Sequence, residues 1–198
     1  MPTQPAEPQQ RRSREKYARI VAAAGRLLAD TAYEELGTKL IAATAGVSVG
    51  VLYRYFPDKE AIVAALVRDW LRIDVEIADR ITADPLPATL DVLLGDLVDA
   101  YADRFRVLSG YRRVRYQVPS GSALRAEATR TDLAIADRLR AALVRGYGAP
   151  DDDVTALRCR LAVEVGGQLL DIAFRDQPAG DPAVLAETTV LMGRYLAT

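Results

Sequence analysis

The residues best equipped for chemistry lie close together, between 38 and 59, in the run TKLIAATAGVSVGVLYRYFPDK. Val49, Gly50, Tyr53 and Arg54 fall on one side of a short helix and face away from its apolar side. Val49 is suited to touch a thymine methyl, and the Arg54 guanidinium to bond a guanine edge or a phosphate oxygen. This is recognition chemistry rather than bond-breaking chemistry. The chain has no histidine, so histidine metal sites, Ser–His and Cys–His nucleophile pairs and histidine acid–base work are all excluded. It has no P-loop and no GxGxxG. Its carboxylates recur at helical spacing as solvated faces. The reading is a non-enzyme with no catalytic residues, no cofactor and no metal.

Such a helix has to be held out from the body of the protein. Ile41, Ala42, Ala45, Val47, Leu52 and Tyr55 give two short helices an apolar side each, over about 38–45 and 48–55, crossing at a steep angle. Ala42 is small where the helices approach. Gly46 stands where the turn needs a left-handed backbone. Val47 plugs the corner, and Ser48 is placed to cap the second helix. Two helices so joined form a helix-turn-helix, whose second helix reads the DNA major groove. An ordinary helical hairpin shares the AxxxGV pattern, so the longer string must decide.

That longer string, over 19–62, resembles the N-terminal domain of the TetR family of transcription regulators. The matches are Ile41-Ala42, Ala45-Gly46-Val47-Ser48, Leu52-Tyr53, Tyr55-Phe56 and Lys59-Glu60. The resemblance implies an all-α fold of about nine helices: an N-terminal three-helix DNA-binding domain over 13–57, then a ligand-binding and dimerisation bundle over 58–198. Residues 1–12, rich in Pro and Gln, are expected as a disordered arm. Prolines and glycines at 57, 85, 119, 148 and 150 punctuate the chain in agreement with that plan. A short sixth helix is expected over 111–118.

Bulk properties are consistent with this reading. Half the residues are apolar, enough for a packed core, and no apolar run approaches the roughly 20 residues needed to cross a bilayer. The N-terminus is not a secretory signal. The one cysteine, Cys159, excludes an internal disulfide and suits a cytoplasmic protein. Residues 1–59 hold nine Lys/Arg against six Asp/Glu, whereas 60–198 hold seventeen against twenty-one. The excess positive charge lies on the segment with the DNA-reading pattern, where neutralising phosphates releases counterions.

The resemblance also assigns partners. Ser48, Tyr53, Tyr55 and Lys59 match positions that contact phosphates. Tyr55 is expected partly in the core and Tyr53 at the DNA. Arg11, Arg12 and Arg14 either reach phosphates or a neighbouring groove, or form a solvated tail. The family's usual capping pair at the start of the second helix is replaced by Gly37 and Leu40, so Thr38 is expected to cap instead and is a weaker DNA-contact candidate. An unknown small-molecule effector is expected inside the C-terminal bundle, near Trp70, Tyr101, Phe105, Tyr111, Arg115, Tyr116, Gln168 and Asp171. Each of these eight also has a core or surface reading. The helix over 151–175 is apolar on two sides, and with the helix over 182–197 it implies a homodimer. The function implied is a ligand-responsive repressor on a palindromic operator. The alternative is a helical small-molecule-binding or scaffold protein without operator binding.

Overall fold

The computed structural model of the chain describes residues 7–108, 110–112 and 122–197. Among them are eight helices: α1 (Glu7–Asp30), α2 (Thr38–Ala45), α3 (Val49–Tyr53), α4 (Lys59–Ile81), α5 (Leu90–Val107), α6 (Ser122–Gly146), α7 (Asp153–Ala173) and α8 (Pro182–Leu196). All but two residues of the short helix expected over 111–118 lie outside the described residues.

Two compact units form. The first gathers Met1–Arg68 with Leu108–Val118, and the second Asp69–Val107 with Pro119–Thr198. The first unit therefore extends past the boundary expected at 57. The reason is apolar: Ile62, Val63, Ala65 and Leu66 on the opening turns of α4 are all buried. At the other end, α1 starts at Glu7, so residues 7–12 of the expected arm are helical. Pro8 falls in the first turn, where a missing N–H costs no helical bond, and no further proline follows before Asp30.

In the first unit α1 packs on α2 and α2 on α3. Ile20, Ala24 and Leu28 of α1, Ile41, Ala42 and Ala45 of α2, and Leu52 and Phe56 at α3 are buried. Each fully buried Leu or Ile contributes about 1.5–3 kcal/mol from removal of apolar surface. The Tyr17 and Phe56 rings meet with centroids 4.9 Å apart. Gly110 (φ 81°) lies against the backbone of α1: a Cβ there would stand 2.9 Å from Ala29 N and from Leu28 C.

In the second unit α7 packs on both α6 and α8, and α5 packs on α8 and α7. Leu93, Leu94, Leu139, Leu143, Cys159, Met192 and Leu196 make one core, and Ala102, Leu170, Ala173, Phe174 and Leu185 a second. Asp152 caps α7 by accepting the Thr155 N–H at 2.8 Å. Asp181 does the same for α8 from Ala183 N–H at 2.9 Å, with Pro182 in the first turn.

Candidate nucleic-acid interface

The turn between α2 and α3 is built as its residues require. Gly46 adopts φ 63°, ψ 41°, the left-handed conformation that closes α2. Its N–H bonds the Ala43 carbonyl at 3.1 Å and the Val47 N–H the Ala42 carbonyl at 3.0 Å, which satisfies the last carbonyls of the helix. Ser48 Oγ then accepts the Val51 N–H at 3.2 Å and starts α3. Leu52 anchors α3 with no exposed surface. On the opposite side Gly50, Tyr53 and Arg54 are exposed and Val49 is half-buried. A Cβ on Gly50 would meet nothing within 4 Å, so this turn of α3 presents bare backbone outward.

Hydroxyl groups tie the reading helix to its neighbours. Thr38 Oγ1 shares a 3.1 Å hydrogen bond with the Tyr53 hydroxyl, joining the start of α2 to the end of α3. Thr38 is not the cap of α2. Gly37 takes that place in an extended conformation without a side-chain bond, and its carbonyl accepts the Ile41 N–H at 3.0 Å. Glycine at an N-cap costs only a few tenths of a kcal/mol relative to a hydroxyl residue, so the helix starts there without one.

The Tyr55 hydroxyl shares a 3.0 Å hydrogen bond with Ser13 Oγ of α1, and the Arg54 guanidinium stands 5.9 Å from the Tyr55 ring centre. The Ser13 bond, then Arg54 and Lys16, hold the Tyr55 phenol below its usual pKa. The surroundings of that hydroxyl therefore favour negative charge. Neither Ser13 nor Lys16 emerged as a site residue from the sequence, because Ser13 and Tyr55 are 42 positions apart and no local pattern links them.

Lys59 has a structural task. Its Nζ donates to the carbonyls of Tyr33 at 3.0 Å and Glu34 at 3.3 Å and lies 4.6 Å from the Tyr33 ring centre. An ammonium has three protons, so one remains for an outside acceptor. Tyr33 in turn donates to Glu60 Oε1 at 3.2 Å, and burial followed by Glu60 raises its pKa.

In the second unit, the residues expected around a ligand are brought together only in part. Trp70 is buried on α4. Its carbonyl accepts Arg104 Nη2 at 3.2 Å, and Arg104 Nε donates to Asp74 Oδ1 at 2.9 Å. The Tyr101 hydroxyl donates to the Asp74 carbonyl at 2.8 Å, and burial, then Asp74, pushes its pKa up. Phe105 stacks on Phe174 at 4.8 Å. The Trp70 carbonyl and the Tyr101 hydroxyl thus flank a buried Asp74–Arg104 ion pair, with side chains 4% and 11% exposed. The sequence carried one sign of that pair, an acid on the apolar stripe of α4 one turn after Trp70. Asp171 sits on α7 beside buried Leu170 and pairs with Arg175 at 3.6 Å. Gln168 is exposed, Tyr111 is buried in the first unit, and Arg115 and Tyr116 lie outside the described residues. A separate groove of about 530 Å³, lined among others by Arg80, Asp84, Asp96, Asp99 and Asp103, includes none of the expected ligand residues.

The two apolar sides of α7 divide cleanly. Leu170 and Phe174 are core. Val154, Leu157, Leu161, Val165 and Ile172, at steps of three, four and seven, are 37–56% exposed, as are Val190, Leu191 and Tyr195 of α8. The row Val154, Leu157, Leu161, Val165 and Ile172 thus leaves one side of α7 apolar and open to solvent in the single chain. Among the described residues no helix is long and apolar enough to cross a membrane.

Comparison with known proteins follows the same division. Residues 20–66 match the model of bacterial regulatory proteins of the tetR family, and residues 89–196 match the tetracyclin repressor-like C-terminal domain. The HTH-type transcriptional repressor KstR of Mycobacterium tuberculosis is 36% identical over 86 residues, 42% of this chain and 39% of the repressor. The chain thus matches only about two fifths of the length of this curated relative. Among solved structures, a TetR-family transcriptional regulator from Streptomyces coelicolor is 26% identical with a TM-score of 0.68, covering 91% of this chain and 97% of its own. The regulator FadR of Bacillus subtilis in complex with stearoyl-CoA is 20% identical with a TM-score of 0.67, covering 92% of this chain and 98% of its own.

Proposed function

The chain belongs to the tetR family of bacterial regulatory proteins, and on that premise we propose that it is a cytoplasmic, ligand-responsive transcriptional repressor that binds a near-palindromic operator as a homodimer and carries out no catalysis. The observation that carries the reading is α3, anchored by buried Leu52 and presenting Gly50, Tyr53 and Arg54 to solvent. Arg54 reads a guanine or holds a phosphate, Val49 meets a thymine methyl, and Gly50 lets the backbone come close. Ser48, Tyr53 and Tyr55 offer hydroxyls to phosphates, joined by Thr38 through Tyr53 and by the remaining proton of Lys59.

Two such heads, about 34–36 Å apart or slightly more, fit successive major grooves on one side of the duplex. The exposed apolar stripes of α7 and α8 supply the twofold contact, each meeting its own copy. Gln168 belongs to that face. The effector contacts Trp70, Tyr101, Phe105 and Asp171 in the second unit. Its ligand is amphipathic: an apolar body against the aromatic side chains and a polar end at the ionic groups. Stearoyl-CoA, named with one structural relative, has that character and is the first compound to titrate. Ligand binding lowers operator affinity to the extent that it prefers a head spacing the operator does not match.

Enrichment of duplexes from a random-sequence pool tests the reading. It should return one inverted repeat bound with strong salt dependence. Recovery of no preferred sequence would leave a helical ligand-binding protein in its place.

A further inference from the structure

α1 runs past the helix-turn-helix at its N-terminal end. Ser13 is the point of attachment: its hydroxyl holds the Tyr55 hydroxyl at 3.0 Å. One turn on, Tyr17 packs on Phe56, and a second turn brings the buried Ile20. These three define the side of α1 that faces the core of the first unit and the Tyr55-Phe56 segment just after α3. At 100° per residue, Lys16 and Arg12 stand on the flank beside that side, one turn apart. Arg12 is exposed and Lys16 half-buried. Arg11, by contrast, pairs with Glu15 at 3.5 Å on another face. Lys16 is close enough to Tyr55 to help hold its phenol below the usual pKa, as is Arg54. Lys16 of α1 and Arg54 at the end of α3 thus both act on the Tyr55 hydroxyl, and Arg12 follows Lys16 one turn along the same flank.

We propose that Arg12 and Lys16 of α1, aligned with Tyr55 and Arg54 through the Ser13 bond, form a second phosphate-binding edge that grips the DNA backbone beside the groove entered by α3. The inference rests on the reading of α3 as a duplex reader and adds to it a surface on another helix. A guanidinium and an ammonium one turn apart on a rigid helix hold their charges in fixed register, which a flexible basic tail does not. These groups carry no sequence information, and they act on affinity and its salt dependence alike for every sequence.

The test is the slope of log K against log salt for the full-length chain on the inverted repeat enriched from the random pool. Each phosphate contact contributes about 0.9 to that slope, so in a two-headed complex Arg12→Gln and Lys16→Gln each reduce it by about 1.8. Arg26→Gln removes the same charge from an exposed position of α1 some 15 Å beyond Lys16, and leaves the slope at its wild-type value. Equal reductions in all three variants would mean a general charge effect and overturn the proposal. Slopes unchanged in Arg12→Gln and Lys16→Gln, with the repeat still bound, would overturn it and leave the DNA-reading function standing. Failure of the wild-type chain to enrich any duplex would remove both.

Discussion

Truncating Leu157 to alanine on the exposed face of α7 should weaken dimerisation about thirtyfold. Leu157 is 51% exposed in the single chain. Fully burying a leucine side chain is worth roughly 2 kcal/mol, so about half of that, near 1 kcal/mol, remains to be gained when a partner covers it. A twofold axis places the residue in the interface twice, which makes the loss about 2 kcal/mol per dimer and about thirtyfold in Kd. Leu157→Asp should do more, because it carries two charges into an apolar contact. Sedimentation velocity over a concentration series reads the monomer–dimer equilibrium directly. Val107 on α5 is 76% exposed and outside the stripe, so Val107→Ala serves as the control with no change. A dimer whose Kd is moved less than threefold by Leu157→Ala, or equally by Val107→Ala, would refute the placing of the twofold contact on α7 and α8.

Three further outcomes follow from the packing. Asp74→Ala should cost about 3–5 kcal/mol in urea unfolding, because it strands a buried guanidinium, whereas the Asp74→Leu/Arg104→Met double variant should lose far less; equal losses would show that the pair is not buried as described. Gly110→Ala should cost about 2–3 kcal/mol, combining a left-handed backbone with a Cβ driven onto the α1 backbone, and a change under 0.5 kcal/mol would contradict that contact. Burial pushes the Cys159 thiol from its ordinary 9.0 up to about 11. The folded state thus keeps its proton longer than the unfolded chain, so its contribution to stability is constant below about pH 9 and declines from there toward 11. Native protein should resist a thiol reagent at pH 8 and react on unfolding; rapid native labelling would place the sulfur at the surface.

What was legible in the sequence was what local chemistry decides. Gly46 and Ser48 act on neighbours within five residues, and the turn formed around them as read. The double apolar pattern of α7 was likewise visible, since helical spacing separates Leu170 and Phe174 from Leu157 and Leu161. The contacts that escaped are those between distant positions. Ser13 meets Tyr55, Arg104 meets Asp74 and Gly110 meets α1 across 30 or more residues, and no periodicity announces such pairs. The cap of α2 differs for another reason: the sequence offers a hydroxyl at Thr38, whereas an extended Gly37 suffices and frees that hydroxyl for Tyr53. The Pro- and Gln-rich composition of residues 1–12 likewise hides a helix start, since Pro8 is compatible with a helix's first turn.

The most direct measurement is hydroxyl-radical footprinting of the wild-type chain and of Arg54→Ala on the enriched duplex. The account predicts two protected patches on one side of the duplex, separated by about one helical turn or slightly more, that weaken together when Arg54 is lost. A single protected patch, or protection that ignores both the sequence and Arg54, would contradict it.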